Sequence, residues 1–390
     1  MKVLYISHDG NAGGSLTALK NIIEQLNQQV ESYVVFPNTG MFSDYLESRG
    51  IKCNYLKYGL DTWPRFDTLR NKILFLPRVL YKNCLLQYIA YKKLCKLIIE
   101  IKPDIIHTNV GPLQIAAHAA KKCNVPHVWH LREYQAKKIN LQPFPTFFSF
   151  KKLSKILSER NNYKIAITNC VKEYFNITNN YKVIYDGVIS KHNPSPSISY
   201  ENSDYLLFVG RLEDNKGWMD VLKAFIEIAS EYPNIKLVFA GSYNTSEISN
   251  VKMNIIPSQL LNRIVFLGYR KDCAQLMQKA RALVVSSYLE GFGFITTEGM
   301  YNGCIVIGRN TSGTKEQFDN GKDMFGAEIG LRFDTQDDLI RQMKFVLSKP
   351  KVDFQPMLEN AQKIVIEKYS IEKNAEDVLC CYKSLIKQNG

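Results

Sequence analysis

The most informative stretch of the sequence is SSYLEGFGFITTEGM, which runs from Ser286 to Met300. An uninterrupted apolar run, Ala282 to Val285, leads into it and is typical of a buried parallel strand. A turn with two glycines follows, and then a helical pattern that ends at Gly303. A strand, a glycine turn and a helix in this order point backbone N–H groups at an anion. The stretch therefore predicts an anion site at the end of a strand.

Two carboxylates bracket the glycine turn. Glu290 precedes the predicted helix and Glu298 lies about one turn inside it. Carboxylates accept hydrogen bonds from hydroxyl groups, so the pair can hold sugar or ribose hydroxyls on either side of a phosphate bound by the amides between them. The alternative interpretation of the same residues is a solvated helix face beside an ordinary turn.

The spacing of these residues resembles the E-x7-E signature of retaining, nucleotide-sugar-dependent glycosyltransferases of family 4, which have the GT-B fold. The resemblance implies that Glu298 binds the ribose and that Glu290 is a catalytic residue that holds the transferred sugar. It assigns further donor contacts to the residues of the turn, Gly291, Phe292, Gly293, Phe294 and Ile295. The sequence departs from the family at Thr297 and Gly299, where the family more often has an apolar residue and an alanine.

A second motif lies earlier in the chain. The stretch GRLEDNKG, Gly210 to Gly217, stands between a predicted strand and helix and resembles the family motif G-R-x4-K-G. The resemblance implies that Arg211 and Lys216 bind the donor diphosphate and are catalytic. Two fixed cations would offset the charge that grows on the leaving nucleotide diphosphate. Since no DxD motif is placed to bridge a diphosphate, we expect a metal-independent reaction without a cofactor.

Weaker resemblances add more site residues. The glycine loop with Gly13 and Gly14 resembles a family loop that faces the donor phosphates, and His130 matches a histidine that approaches the transferred sugar. The alternative for the glycine loop is an ordinary strand–helix turn, and the alternative for His130 is a structural histidine. Tyr269 and Arg270 follow a predicted strand whose end lies where the family seats the base. The expected substrate is a nucleotide-diphosphate sugar, with a UDP-sugar favoured.

The order of strands and helices predicts two α/β domains. A length of 390 residues is enough for two cores, and strand–helix alternation restarts after residue 204. We assign residues 1–189 to a Rossmann-like acceptor domain and 190–204, rich in Ser and Pro, to a linker. Residues 205–357 form a Rossmann-like donor domain, and 358–390 form helices that cross back to the first domain. The resemblance implies a GT-B architecture, in which two doubly wound domains face a central cleft.

The net positive charge of the chain comes entirely from its first half. Residues 1–190 contain 26 Lys and Arg and 13 Asp and Glu. Their net charge is therefore +13, which is the net charge of the whole chain. A basic domain suits nucleic acid, an anionic membrane surface or an anionic substrate. No nucleic-acid recognition motif is present, so no nucleic-acid partner is expected.

Two segments of the basic half mix apolar and basic side chains. The segment 68–101 is predicted to be helical, with a kink or break at Pro77. Core packing is favoured for its apolar residues, and a membrane contact is the alternative. A second segment, 144–155, joins aromatic residues to basic ones and suits either a membrane interface or a loop packed on the core. Its lysines are Lys151, Lys152 and Lys155.

The remaining composition bears on the compartment. Nine scattered cysteines without a C-x2-C pair, and six histidines without metal-ligand spacing, favour free thiols in a reducing compartment. The chain opens on a predicted strand, without a signal-type apolar core, and no apolar run is long enough to span a bilayer. We therefore expect a cytoplasmic protein, with a peripheral position at the inner face of the plasma membrane left open.

These observations and the resemblance predict one function and leave two alternatives. The prediction is a retaining glycosyltransferase that moves a hexosyl unit to a lipid-linked or polysaccharide acceptor in bacterial envelope synthesis, such as that of capsule, O-antigen or exopolysaccharide. A nucleotide-sugar epimerase of the same fold would need further acid and base residues, and would convert the donor without an acceptor. A nucleic-acid-binding protein would use the basic half, and its binding would fall steeply with salt.

Overall fold

The chain folds into two α/β units. A computed structural model describes residues 1–11, 13–62, 69–135, 156–159, 161–201 and 203–389. One unit contains Met1–Gly187 and the segment from Ile371 onward, and the other contains Val188–Ser370. The prediction of two parallel-sheet α/β domains is confirmed.

The first unit is built, within the described residues, on a parallel sheet of seven strands in the order β3-β2-β1-β4-β5-β6-β7. The strands are β1 Lys2–Ile6, β2 Glu31–Phe36, β3 Lys52–Tyr55, β4 Ile105–Thr108, β5 His127–Leu131, β6 Asn162–Ala166 and β7 Tyr181–Val183. The helices are α1 Gly14–Leu26, α2 Met41–Ser48, α3 Leu69–Leu80, α4 Gln87–Ile101, α5 Gln114–Cys123, α6 Asn169–Tyr174 and α14 Ile371–Asn389. The strand order reverses beside β1, and ligands bind at such a reversal in open α/β sheets.

The second unit has a parallel sheet, of six strands in the described part, in the order β10-β9-β8-β11-β12-β13. The strands are β8 Tyr205–Val209, β9 Lys236–Ala240, β10 Ile264–Phe266, β11 Ala282–Val285, β12 Val306–Arg309 and β13 Leu331–Phe333. The helices are α7 Trp218–Ile228, α8 Thr245–Asn254, α9 Cys273–Lys279, α10 Phe294–Tyr301, α11 Ser312–Phe325, α12 Gln336–Leu347 and α13 Gln355–Lys368. Here the strand order reverses between β8 and β11, and the two sequence motifs directly follow these strands.

The segment 190–204, assigned to a linker from the sequence, packs against the second unit. The Pro194 carbonyl accepts a hydrogen bond from the Tyr301 hydroxyl at 3.3 Å, and the Pro196 carbonyl accepts one from Gln362 Nε2 at 2.9 Å. Ile198 lies directly against Gly303. These contacts tie its described residues to helices α10 and α13, so the units divide at Gly187 rather than at residue 189.

The described part of the C-terminal stretch, up to Asn389, contains two helices that belong to different units. Helix α13 belongs to the second unit and α14 to the first. Between the two helices, the Tyr369 carbonyl accepts a hydrogen bond from Val188 N at 2.8 Å. In a continuous helix it would accept from the backbone N–H four residues later. Helix α14 then packs on α1, with Val378 and Tyr382 buried in the core of the first unit.

The segment 68–101 differs from its prediction. The chain changes to π-helical geometry at Tyr81–Leu86, between α3 and α4, and Pro77 lies inside α3. Helix α4 packs in the core as expected, but core packing is wrong for α3, where Ile73 and Leu74 are 66% and 68% exposed. Consecutive apolar residues occupy more than one face of a helix, so they cannot all point at the sheet.

Two observations bear on membrane contact. Among the described helices, none is both long and apolar enough to cross a membrane. The aromatic segment that ends in Lys151, Lys152 and Lys155 lies outside the described residues, so its predicted interface is not addressed by this structure.

Candidate active site

The two sequence motifs form neighbouring loops in the second unit. Strands β8 and β11 pair in parallel, so the loops after them leave the same edge of the sheet. Tyr288 N donates to the Asn215 carbonyl at 3.0 Å, which links the loops through their backbones. The Ser286 hydroxyl lies 2.9 Å from the carbonyls of both Lys216 and Gly217. The first motif is therefore fixed directly to the start of the second.

Gly217 shows why this junction needs a glycine. Its φ is +67°, and a Cβ atom built on it would stand 2.3 Å from the Ser286 carbonyl oxygen. Any side chain would strain the backbone and force the two loops apart. The close approach places Lys216 next to the loop that carries Glu290.

Lys216 and Glu290 form an ion pair across the two loops. Lys216 Nζ lies 2.5 Å from Glu290 Oε1, and the two side chains are 26% and 22% exposed. The pair is thus half-buried and still open to solvent. An anion that reaches this edge of the sheet meets a cation held in a fixed position.

The glycine turn leaves backbone donors free at the start of α10. Gly293 has a φ of +94° and immediately precedes the helix. The amides of Gly293, Phe294 and Ile295 have no hydrogen-bond acceptor in the part of the chain that the structure describes. Such amides at a helix N-terminus attract a phosphate or a sugar oxygen.

Helix α11 supports the turn from behind. Gly313 N donates to the Glu290 carbonyl at 3.1 Å, and Gln317 Nε2 donates to the Phe292 carbonyl at 2.7 Å. A Cβ atom on Gly313 would stand 2.1 Å from the Phe292 carbonyl oxygen. The sequence gives no signal for Gln317, because that contact depends on how α11 packs.

Glu298 is the second carboxylate of the pair. It is half-buried on α10, and burial raises the pKa of its carboxyl group from 4.5 to about 7. The carboxyl group makes no hydrogen bond or ion pair with the described residues. Both oxygens are therefore available to a ligand hydroxyl, as the predicted ribose contact requires.

Arg211, Tyr269 and Arg270 do not join the Lys216–Glu290 pair. Arg211 Nη1 pairs with Glu213 Oε1 at 3.0 Å on the surface. Arg270 pairs with Asp272 at 2.5 Å, and Tyr269 is 75% exposed. No sequence pattern points to Glu213, yet it is the residue that pairs with the Arg211 guanidinium.

The histidine predicted to approach the sugar lies inside the first unit. His130, near the end of β5, is completely buried. Its Nδ1 accepts a hydrogen bond from Arg132 Nη2 at 3.2 Å, and its ring centroid lies 5.3 Å from that of His107. Burial, and then the nearby Arg132 charge, holds the pKa of His130 well below its ordinary value. His130 is thus a neutral ring packed among polar neighbours, and its buried Nε2 has no partner among the described residues.

Arg132 is the centre of this buried polar group. It forms an ion pair with Asp186, and its Nε donates to Asn109 Oδ1 at 2.9 Å. Glu133 Oε1 accepts from Gly111 N at 2.8 Å, and burial raises the pKa of Glu133 to about 7. The cluster ties together the carboxyl ends of β4 and β5.

The glycine loop of the first unit is open. Gly13 caps α1, which begins at Gly14, and a Cβ atom on Gly13 would meet no atom within 4 Å. The open space beside the Gly13 backbone is therefore compatible with a ligand that binds close to it. In the described residues, no group of three or more His, Cys, Asp or Glu side chains could hold a metal ion.

Comparison with known protein families gives a match within the second unit. Residues 190–368 match the family described as Glycosyl transferases group 1. Both motif loops, with Arg211, Lys216, Glu290 and Glu298, lie inside the matched range.

Two curated relatives show the similarity along the chain. A protein of Campylobacter jejuni named GalNAc-alpha-(1->4)-GalNAc-alpha-(1->3)-diNAcBac-PP-undecaprenol alpha-1,4-N-acetyl-D-galactosaminyltransferase is 24% identical over 399 residues, which cover 97% of this chain and 97% of that protein. An uncharacterized 42.6 kDa protein in the cps region of Klebsiella pneumoniae is 27% identical over 292 residues, which cover 69% of this chain and 74% of that protein.

A solved structure shows the same fold. Anabaena Alr3699/HepE in complex with UDP has a TM-score of 0.73 at 20% identity, over 98% of this chain and 100% of that chain. The same protein in complex with UDP-glucose has a TM-score of 0.71 at the same identity and coverage. The predicted GT-B fold is confirmed by these similarities.

Proposed function

Residues 190–368 belong to the Glycosyl transferases group 1 family, and on this premise we propose that the chain is a retaining enzyme of family 4 that transfers a hexosyl unit from a nucleotide-diphosphate sugar. The acceptor is lipid-linked or a polysaccharide. The observation that carries the proposal is the ion pair of Lys216 and Glu290, 2.5 Å apart, beside the free amides that begin α10. Together, the ion pair and the amides provide a cation for phosphate, a hydrogen-bond acceptor for sugar hydroxyls and hydrogen-bond donors for oxygen anions.

Each residue has a task in the transfer. Arg211 and Lys216 would hold the diphosphate, Glu298 the ribose, and Glu290 with the turn amides the sugar. The bond between the sugar C1 and the diphosphate oxygen breaks, and the acceptor hydroxyl forms the new bond to C1. The acceptor proton passes to the leaving phosphate oxygen, whose growing charge the two cations stabilise. No metal ion has a task in this scheme.

Named relatives support the choice of substrates. Anabaena Alr3699/HepE was solved with UDP and with UDP-glucose, which favours a UDP-sugar donor. The name of the Campylobacter jejuni relative includes a PP-undecaprenol acceptor, and the Klebsiella pneumoniae relative comes from a cps region. A lipid-linked intermediate of envelope polysaccharide synthesis is the acceptor that agrees with both.

Incubation with a panel of nucleotide sugars tests the proposal. We expect UDP release from one UDP-sugar, stimulated by a polyprenyl-diphosphate-linked saccharide, and an α-linked product from an α-linked donor by NMR. A Lys216→Ala variant run in parallel identifies release that depends on this site. Isomerisation of the donor without an acceptor would favour the epimerase, and absence of turnover with every donor and acceptor would contradict the transferase.

A further inference from the structure

A group of four side chains in the second unit connects the two motif loops. Its members lie on four different elements of that unit and are Asp220, Tyr288, Arg309 and Phe333. Asp220 lies in the first turn of α7, shortly after Lys216, and Tyr288 lies in the loop that carries Glu290. Arg309 and Phe333 are the last residues of the parallel strands β12 and β13. The group therefore lies at the same edge of the sheet as the candidate active site.

Arg309 contacts both motif loops at once. Its Nη2 lies 2.5 Å from Asp220 Oδ2, and its Nε donates to the Ser286 carbonyl at 3.0 Å. Its Cζ atom lies 4.5 Å from the centre of the Tyr288 ring and 4.9 Å from the centre of the Phe333 ring. A planar guanidinium group can donate in two directions and stack on aromatic rings at the same time. A lysine at this position would keep the ion pair but not this combination of contacts.

Tyr288 joins the second motif loop to the first at two points. Its hydroxyl donates to Asp220 Oδ2 at 2.7 Å, and the same oxygen pairs with Arg309. Its backbone N–H donates to the Asn215 carbonyl at 3.0 Å. Asn215 immediately precedes Lys216 in the chain. Lys216 is thus placed between two residues, Asn215 and Asp220, that are both bonded to Tyr288.

The charged members of the group are only partly open to solvent. The side chains of Arg309 and Asp220 are 15% and 23% exposed. A charge-assisted hydrogen bond is stronger in such surroundings than in water, because the effective dielectric constant is lower. Asp220 is also held through its backbone, since its carbonyl accepts from Gln336 Nε2 at 3.0 Å. The group is therefore suited to fix the spacing between the two loops.

We propose that Arg309 is a positioning residue for the Lys216–Glu290 pair, and that it acts through Asp220 and Tyr288 rather than through contact with the donor. The proposal deepens the proposed function, on which it rests for the roles of Lys216 and Glu290. Loss of the guanidinium group would leave the two loops joined through their backbones but without this outer support. A misplacement of about 1 Å at reacting groups can slow a reaction by about 100-fold.

Amide hydrogen exchange in the ligand-free chain tests the proposal without turnover. Two backbone amides report on the loops, that of Tyr288, bonded to the Asn215 carbonyl, and that of Gly313, bonded to the Glu290 carbonyl. In an Arg309→Lys variant we expect both amides to exchange about tenfold faster than in the wild type, because the loops open more often. Unchanged protection of the two amides would overturn the proposal.

The matched control is Arg263→Lys. Arg263 is also half-buried, donates to the carbonyls of Ala229 and Tyr232 at 2.9 and 2.6 Å, and lies over the Phe225 ring at 5.5 Å. It directly precedes β10, so it lies at the opposite edge of the sheet from the motif loops. This variant should leave the exchange of both amides unchanged. Equal acceleration in the two variants would reveal a general loss of stability and would contradict a specific role of Arg309.

A double-mutant cycle shows whether Arg309 acts through Lys216. The variants are Arg309→Lys, Lys216→Ala and the two combined, and the measurements are UDP affinity and the steady-state kinetics of the UDP-sugar that turns over. Arg309→Lys alone should lower UDP affinity about fivefold and kcat about thirtyfold, with a smaller rise in KM for the donor. In the Lys216→Ala background each loss should shrink to less than about threefold. Losses that simply multiply would mean that Arg309 does not act through Lys216.

A gentler variant keeps the test decisive if Arg309→Lys unfolds. Tyr288→Phe retains the ring beside Arg309 and removes only the hydroxyl that reaches Asp220. It should accelerate exchange of the Gly313 amide and lower UDP affinity, each by about threefold. Wild-type values for both would count against the proposal. The expected exchange rates and UDP affinities, in a chain that transfers no sugar, would count against the proposed function alone.

Discussion

Lys216 Nζ lies 2.5 Å from Glu290 Oε1, although 74 positions separate the two residues along the chain. A diphosphate that binds Lys216 would compete with Glu290 for the ammonium group. Release of Glu290 from the lysine would leave its carboxylate free to accept a hydrogen bond from a sugar hydroxyl. In the proposed enzyme, binding of the diphosphate and preparation of the sugar site would therefore be coupled through one ion pair.

Replacement of Lys216 should affect turnover more than folding. A Lys216→Ala variant removes a fixed charge beside the proposed position of the leaving diphosphate, which should raise the barrier by about 2–4 kcal/mol and slow turnover by about 30- to 1,000-fold. The free energy of unfolding should fall by less than about 1 kcal/mol, because the pair is partly open to solvent. Steady-state kinetics and urea unfolding measure the two effects.

The matched control is Lys344→Ala. Lys344 forms an ion pair of the same length, 2.5 Å, with Glu231 on the surface of the same unit. Its loss should leave turnover unchanged. Equal activity of the two variants would remove Lys216 from the catalytic residues.

Arg211 should contribute to the reaction from an exposed position. Arg211→Ala breaks only the surface pair with Glu213, so the free energy of unfolding should change by less than about 0.5 kcal/mol while turnover falls. Glu213→Gln frees the arginine and should tighten UDP binding, which titration calorimetry measures. Unchanged UDP affinity in both variants would mean that Arg211 does not reach the diphosphate.

Removal of divalent ions should not stop the reaction. The proposed scheme places Arg211 and Lys216 where other enzymes of this chemistry use a metal ion to neutralise a diphosphate. Turnover measured in EDTA should equal turnover without it, with the same ionic strength as the control. Complete loss in EDTA, restored by Mg²⁺ or Mn²⁺, would contradict the metal-independent scheme.

Donor binding should depend on the ionisation of Glu298. Burial raises the pKa of its carboxyl group to about 7, so the carboxylate that accepts from a ribose hydroxyl forms only as the pH rises through that value. Between about pH 6 and about pH 8 the ionised fraction rises about tenfold, and the affinity for UDP should rise with it. UDP itself also ionises in this pH range. The quantity to compare is therefore the ratio of wild-type to Glu298→Gln affinity for UDP at each pH, in which the ionisation of UDP cancels. A constant ratio would contradict the assignment.

The same carboxyl group should influence stability in the opposite direction. Its pKa is higher in the folded chain than the ordinary 4.5, so the folded state binds more protons between these values. The free energy of unfolding therefore falls as the pH rises from 4.5 to about 7. Without ligand, Glu298→Gln should be more stable than the wild type above that range, by about 1–2 kcal/mol. Denaturant unfolding across this pH range provides the measurement.

The buried pair of Arg132 and Asp186 should be important for the folded state of the first unit. Asp186→Ala leaves a buried guanidinium group without its counter-charge, which should cost about 3–5 kcal/mol. Lys121→Ala is the control, because it breaks an ion pair with Glu159 that is largely exposed on the lysine side, and should cost less than about 1 kcal/mol. Similar losses in the two variants would show that burial does not govern this pair.

The parts of the site that follow from local sequence could be predicted, and the parts that depend on packing could not. Gly210 to Gly217 and Glu290 with Glu298 are short patterns. As predicted, the first follows β8, Glu290 lies in the turn after β11 and Glu298 lies inside α10. The Lys216–Glu290 contact depends on the pairing of β8 with β11, which no local pattern contains. Gln317 supports the turn from another helix for the same reason.

Two features of the fold were not predicted from the sequence, and each has a physical reason. Strand β13 is only three residues long, Leu331–Phe333, and Arg332 interrupts its apolar pattern. On α3, the apolar residues that the sequence assigns to the core are the same kind of residues that a membrane contact needs. Composition does not distinguish a core helix from an exposed one, whereas the exposure of Ile73 and Leu74 in the folded structure does.

The placement of α14 decides the order in which the two units can finish folding during synthesis. Helix α1 shares its core with Val378 and Tyr382, which leave the ribosome only after the whole second unit has been made. The second unit is one continuous segment, Val188–Ser370, and can finish folding while the first unit still lacks its last helix. The apolar side of α1, with Ile22 and Ile23, stays uncovered by α14 throughout that interval. The nascent first unit therefore exposes apolar surface, of the kind that chaperones bind, for as long as the second unit is being made.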